Sequence, residues 1–249
     1  MDWLLAPIDP ARAHEVGLAV SWHGRLMVLA WAVLAPIAVI MARFFKVMPR
    51  QDWPRQLDNP TWWRSHWMGQ GAVFALSVLG LALVWQSSRP MLWHAVLGYA
   101  VFVGLALQIL MGIFRGSKGG PTAPSLRGDH YDMTRWRLRF EAVHKSFGYT
   151  LLVLAMITVL MGMWLANAPR WMWLGLGFWW LGLIVLSGWL QNRGFAIDTY
   201  QAIWGPDPVH PGNRRPPGWG MRRPLEEKPC TELSRAPGSR SSTRNSKPV

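Results

Sequence analysis

Apolar residues fall along this chain in long charge-free runs rather than in short alternating stretches. The runs reach from Leu26 to Ala42, Ser65 to Ser88, Pro90 to Phe114, Ser146 to Pro169 and Trp171 to Asn192. Each of the last four holds the ~20 residues a helix needs to cross a hydrocarbon layer ~30 Å thick. The first is shorter, but extended back through Val16 to Trp22 it crosses too, with His23 and Arg25 in its outer turns. The pattern predicts an all-α membrane protein with five transmembrane helices, over about 18–43, 65–88, 90–114, 143–166 and 171–192. The first four are expected to form a four-helix bundle. A short segment, 1–17, precedes this 18–192 domain, and a tail, 193–249, follows it.

Four of those runs carry a histidine near their start: His23, His66, His94 and His144. An ionisable ring inside a membrane span is costly and marks a candidate functional site. Successive spans alternate in direction, so His23 and His94 fall near one face and His66 and His144 near the other. Helices one and three can face each other diagonally across a four-helix bundle, as can two and four. The result is two imidazole pairs, each able to supply both axial ligands of one haem iron, and so two b-type haems with bis-histidine ligation. A structural zinc site wants its ligands around one ion, whereas these lie on two levels with no Cys, Asp or Glu joining them in the spans.

Charge orients the chain. Of its 26 Lys and Arg residues, only Arg12, Arg25, Arg89 and Arg170 lie on the face where the chain starts. Because Lys and Arg accumulate on the cytoplasmic side, the N-terminus is expected outside and the C-terminus inside. The net charge of +13 on a chain that is 51% hydrophobic suits spans joined by basic loops, not a soluble domain. Many of the 18 tryptophans, Trp22, Trp62, Trp63, Trp93, Trp136, Trp164 and Trp171 among them, fall at span ends, where an indole anchors to the interface. No cleavable signal is apparent at the start. A bacterial inner membrane is the expected location, with the N-terminus periplasmic, and lipid is the expected surrounding.

The tail is basic and rich in Pro, Arg and Ser, and is expected to be largely disordered in the cytoplasm. Cys230 stands alone in it, so no disulfide framework follows. His14, His130 and His210 lie in polar or terminal stretches and are read as solvated.

Spans three and four are weakly repeated: His94-Ala95-Val96-Leu97-Gly98-Tyr99 matches His144-Lys145-Ser146-Phe147-Gly148-Tyr149. A glycine four residues after the histidine lies on the same helix face, so Gly98 and Gly148 are candidate cofactor-binding positions where a flat macrocycle meets bare backbone. Gly24, Gly69 and Gly71 are weaker candidates of the same kind. Arg25, two residues from His23 and within an apolar segment, is a candidate partner for a haem propionate. Arg64, Arg115 and Lys145 hold similar places on the other face, where topology alone also accounts for them. With Arg137 and Arg139 they form a basic cluster able to attract an anionic substrate. Gln70 and Gln108, neutral polar residues within spans, are expected to hydrogen-bond a neighbouring helix.

From Ser21 to Trp164 the chain resembles the cytochrome b561 family, in particular its DOMON-associated branch without the DOMON domain. The resemblance is carried by His23-Gly24 with Met27, Trp31, Pro36 and Ala42-Arg43, by Trp62, His66, Gln70 and Gly71, by His94-x-x-x-Gly98 with Gln108, and by His144-x-x-x-Gly148-Tyr149. It implies a diheme carrier moving single electrons across the membrane. Ascorbate is a common donor in the family, and monodehydroascorbate or ferric chelates are common acceptors. Members commonly have six helices, against five here. The resemblance extends to the four histidines as iron ligands and assigns no catalytic residue. The enzymatic reading is an ascorbate- or quinol-dependent transmembrane oxidoreductase. A haem-binding anchor subunit linking the quinone pool to a periplasmic redox protein is the alternative, and a non-redox scaffold or transporter the second. A small-molecule donor or acceptor is expected and nucleic acid is not, while a homodimer stays open.

Overall fold

The computed structural model describes residues 2–85 and 92–224. The ends of the second and third expected spans at 86–91, Arg89, and the tail from 225 with Cys230 lie outside the described residues. Five helices are long and apolar enough to cross a membrane: α1 (Leu18–Phe44), α2 (Thr61–Val84), α3 (Trp93–Ile113), α4 (Arg135–Leu165) and α5 (Arg170–Asn192). Among the described residues there is no β-strand beyond two isolated bridges.

α1 and α2 pack along their whole lengths, as do α3 and α4, and the middle of α1 closes the bundle against α4. The centre is built from Ala30, Trp31, Ala32, Ala35, Val73, Val101, Leu105, Leu151, Ala155 and Val159. Alanines on α1 let the backbones approach, which is how helices associate where lipid is as apolar as the side chains. The outward faces, such as Phe178, Ile184 and Val185 of α5, are apolar and exposed, as a lipid-facing surface requires.

α1 is not uniform. Residues Val28–Leu34 form a π-helical turn. Pro36 follows it and has no N–H to give to the carbonyl of Ala32, four residues back. Trp179 of α5 fills the gap, donating its indole N–H to that carbonyl at 2.8 Å. This bond and that from Arg43 to Gln191 at 3.0 Å fasten the fifth helix to the first.

Two expectations about extent change. The fourth span was expected from 143, but α4 begins at Arg135, capped by the Thr134 side chain, which accepts from the Arg137 N–H. Its charged first turns sit beyond the apolar run and hold together through Glu141, which pairs with Arg137 and Lys145 at 3.1 and 3.2 Å.

The second change concerns the tail, which is folded as far as residue 224. A short helix, α6 (Thr199–Trp204), is buried throughout. Tyr200, Ile203 and Trp204 form a small core with Trp62, Tyr131 and Met133, and Gly119 and Gly120, both at positive φ, let the Trp204 indole lie against bare backbone. The chain then returns so that Arg222 bridges Ile197 and Arg223 pairs with Asp198 at 3.0 Å. Mean composition hid the apolar residues Phe195, Ile197, Tyr200, Ile203 and Trp204 among the charges. The result is a cap over the basic ends of the bundle.

Candidate functional site

The four histidines meet in two pairs. The rings of His23 and His94 are 6.3 Å apart between centroids and lie at 85°, and those of His66 and His144 are 6.4 Å apart at 78°. A metal with one imidazole on each side holds each nitrogen at about 2 Å, and the ring centre lies about 1.1 Å behind it, so opposed rings stand about 6 Å apart. Both pairs have the spacing of two rings sharing one ion. A cluster of three or more His, Cys, Asp or Glu is absent among the described residues, so each pair offers two imidazoles and no carboxylate or thiolate beside them.

Neighbouring backbone fixes the rings. His23 Nδ1 is 2.9 Å from the Gly80 carbonyl, His66 Nδ1 3.1 Å from Ala38, and His94 Nδ1 3.0 Å from Thr158. A carbonyl only accepts, so each Nδ1 carries the proton and each Nε2 keeps its lone pair for a metal. His144 is held differently. Its Nδ1 is buried with no partner among the described residues, while its own carbonyl accepts from Gln108 Nε2 at 3.0 Å and its ring stacks on Phe140. Gln108 therefore bonds the neighbouring helix, as its place in a span leads one to expect.

These contacts set a common register. The histidine level and the opposite level are 14 residues apart on three helices: 66 to 80, 94 to 108 and 144 to 158. On α1 the step from 23 to 38 is one residue longer, and the π-turn lies between them. A π-turn closes its bonds one residue later than an α-turn, which absorbs the surplus.

The glycines divide. Side chains at Gly24 and Gly71 would meet nothing within 4 Å, and one at Gly98 only the Thr158 methyl at 4.0 Å, so these positions leave open space on their helix faces. Gly148 instead faces the Gln108 amide at 3.2 Å and Gly69 faces Ala38 Cβ at 2.8 Å, so both serve close helix packing. Two others matter more directly: a Cβ at Gly162 would reach His94 Cε1 at 2.9 Å, and one at Gly80 would stand 3.6 Å from His23 Nδ1. Gly80 had no motif to flag it, and the carbonyl acceptors are backbone atoms that any residue supplies. A cavity of about 390 Å³ opens beside His94, lined by Leu92, Trp93, Leu160, Met161, Trp164 and Leu165. Apolar walls, open glycine faces and paired imidazoles with free Nε2 atoms fit a flat metal macrocycle.

Arg25 is exposed and lies over the Trp22 ring at 5.0 Å. Arg115 lies over Trp63, and Arg64 is exposed. His14 is exposed and bonds the Ala166 carbonyl. His130, expected to be solvated, is fully buried, because the α3–α4 loop folds against α6. Burial, then the positive charge of Arg137, pushes its pKa down to about 3, so its 3.5 Å contact with Glu141 joins a neutral ring to a carboxylate rather than two charges. His210 is also drawn in, its Nδ1 buried beside Tyr131 and Trp204.

A family model described as eukaryotic cytochrome b561 matches residues 22–167. The chain belongs to the cytochrome b561 family. It is similar to ferric-chelate reductase 1 of Bos taurus, 27% identical over 162 residues that make up 63% of this chain and 24% of that protein. It is also similar to two cytochrome b561 and DOMON domain-containing proteins of Arabidopsis thaliana. One is 27% identical over 62% of this chain and 34% of its own length, the other 24% identical over 73% and 40%. The matched region is thus well under half of each of these relatives. No solved structure matches. Membership makes the chain an integral membrane protein of haem-dependent electron transfer, with b-type haem as its cofactor.

Proposed function

We propose that this cytochrome b561 homologue binds two b-type haems, one between His23 and His94 and one between His66 and His144, and passes single electrons across the membrane. The supporting observation is the pairing of imidazoles at two levels, with three of the four rings held at Nδ1 by a backbone carbonyl so that Nε2 stays free. Bound iron would supply reversible one-electron chemistry. The chain's own part is to hold both axial nitrogens, exclude water with an apolar bundle and keep the two levels in register. The charge asymmetry supports an N-terminus outside and a C-terminus inside a bacterial-type inner membrane. Ascorbate or a quinol is the proposed donor; the resemblance to ferric-chelate reductase 1 makes a ferric chelate a reasonable acceptor to try beside a periplasmic redox protein.

The test is a pyridine haemochrome assay with stepwise reduction of the purified chain. Two haems per chain are expected, with one lost in His23→Ala or His94→Ala and the other in His66→Ala or His144→Ala. A single haem, or none, in the unaltered protein overturns the reading. Rapid reduction by ascorbate or by a quinol then identifies the donor class.

A further inference from the structure

Midway between the two histidine levels the bundle has a layer of four residues, one from each helix: Trp31, Val73, Val101 and Leu151. All are buried, at 5%, 0%, 3% and 5% exposure. Each stands about seven residues from the histidine on its helix, so the levels above and below are about 21 Å apart along the axis at ~1.5 Å per residue. Three of the four are aliphatic. The fourth is an indole, placed by the π-turn Val28–Leu34.

Its orientation is fixed. Trp31 Nε1 donates to Ser77 Oγ at 3.0 Å, and the Ser77 hydroxyl spends its own proton on the Val73 carbonyl at 2.7 Å. A buried indole N–H needs such a partner, and here the partner is on α2, three residues before Gly80, whose carbonyl holds His23. The ring is thus buried within the bundle and tied to the helix that anchors one level and carries His66 of the other. Phe74 and Phe102 also stack near this depth, at 5.3 Å and 14°, but both are only partly buried, between α2 and α3.

We propose that Trp31 is the bridging residue for electron passage between the two levels. The inference rests on the diheme reading above. Haems held at the two levels would supply the one-electron couples, so an electron given up at one level would be taken up at the other. The indole is neither oxidised nor reduced and keeps its proton; its contribution is a continuous, polarisable path where an aliphatic side chain would leave a poorer one.

The experiment uses the full chain in lipid nanodiscs. Haem content, absorption spectrum and midpoint potentials are measured first, then the rate at which an electron injected by a light pulse redistributes between the two haems. Trp31→Leu should keep two haems, the spectrum and the potentials while slowing redistribution severalfold. Trp31→Phe, which keeps an aromatic ring, should restore most of the rate. Ser77→Ala frees the indole N–H and should slow it less than Trp31→Leu, and it also serves if Trp31→Leu fails to assemble. Two haems with an unchanged rate in Trp31→Leu overturn the bridge alone. So does slowing in Phe102→Leu equal to that in Trp31→Leu, because the path then lies at the edge of the bundle. An unaltered chain with fewer than two haems overturns the diheme reading and the bridge together.

Discussion

The α1–α2 half and the α3–α4 half solve the same problem with different parts. In the first, the two histidines exchange anchors: His23 bonds the Gly80 carbonyl of α2, and His66 bonds the Ala38 carbonyl of α1. In the second only His94 is tied in this way, to Thr158, and at the other end Gln108 reaches back to the His144 carbonyl while His144 Nδ1 goes unpaired. The first half bends its backbone, with a π-turn and Pro36, to reach register; the second stays α-helical and spends a side chain instead. Two helical hairpins can therefore deliver matching ring positions without sharing a mechanism. What is common to them is the level, not the contact.

The sharpest way to break this comparison is to shorten each half by one residue. Deleting Val33 within the π-turn should let α1 relax to a regular helix with both levels kept, so two haems per chain remain. Deleting Val103 in α3 turns everything beyond it by about 100°, which swings Gln108 and the loop leading to α4 out of place. At least one haem should be lost, read by the haemochrome assay. Equal loss from both deletions would mean that the π-turn does not absorb the extra residue.

Next comes the room around the rings. Gly162→Val places branched carbon against His94 and should cost the haem at that level while sparing the other. Gly148→Ala meets only the end of the Gln108 side chain, which can give way, and should leave both.

The loops of the two halves differ in what they bury, and pH separates them. The α1–α2 loop buries Lys46, whose ammonium group gives hydrogen bonds to the carbonyls of Arg43 and Ile197. Burial, then repulsion from Lys145, lowers its pKa to about 7. The α3–α4 loop buries His130, at about 3. Both values lie below those of the unfolded chain, so the unfolded state binds more protons across each window and docking of the cap strengthens as pH rises. Going down, the Lys46 contribution is lost between about 10.5 and about 7, and the His130 contribution between about 6.5 and about 3. Hydrogen exchange of residues 196–204 should quicken over both windows. His130→Gln should flatten the acid one and Lys46→Met the alkaline one.

The smallest expected effect is at Gln108. Gln108→Leu removes one hydrogen bond to the α4 backbone and should cost about 1 kcal/mol, seen as a modestly lower midpoint when thermal unfolding is followed at the haem absorption. Gln70→Leu, with no comparable bond, should do less.

Much of the bundle was legible because the membrane simplifies the code. Long charge-free runs have few alternatives to a spanning helix, and alternating direction sorts four histidines into two levels by arithmetic alone. Their anchors were not legible, since carbonyls of Ala38, Gly80 and Thr158 belong to the backbone and are chosen by register. Nor was it legible that Arg25 lies over the Trp22 ring face, since a contact three residues away along a helix surface leaves no mark in the apolar pattern. The start of α4 was set at the first apolar residue, although Thr134 as a cap and the 137–141 and 141–145 pairs carry the helix further. The order within residues 193–224, expected as part of a largely disordered tail, was hidden for a different reason: their apolar partners, Trp62, Tyr131 and Met133, lie far off in sequence, on α2 and in the loop before α4.

The bond from Trp179 to the Ala32 carbonyl also bears on how the protein is made. α1 precedes α5 along the chain, so the Ala32 carbonyl receives the Trp179 indole N–H only once a segment more than a hundred residues later is in place. A product truncated after α4 would retain all four histidines and yet lack the Trp179 donor that ties the fifth helix to the middle of the first.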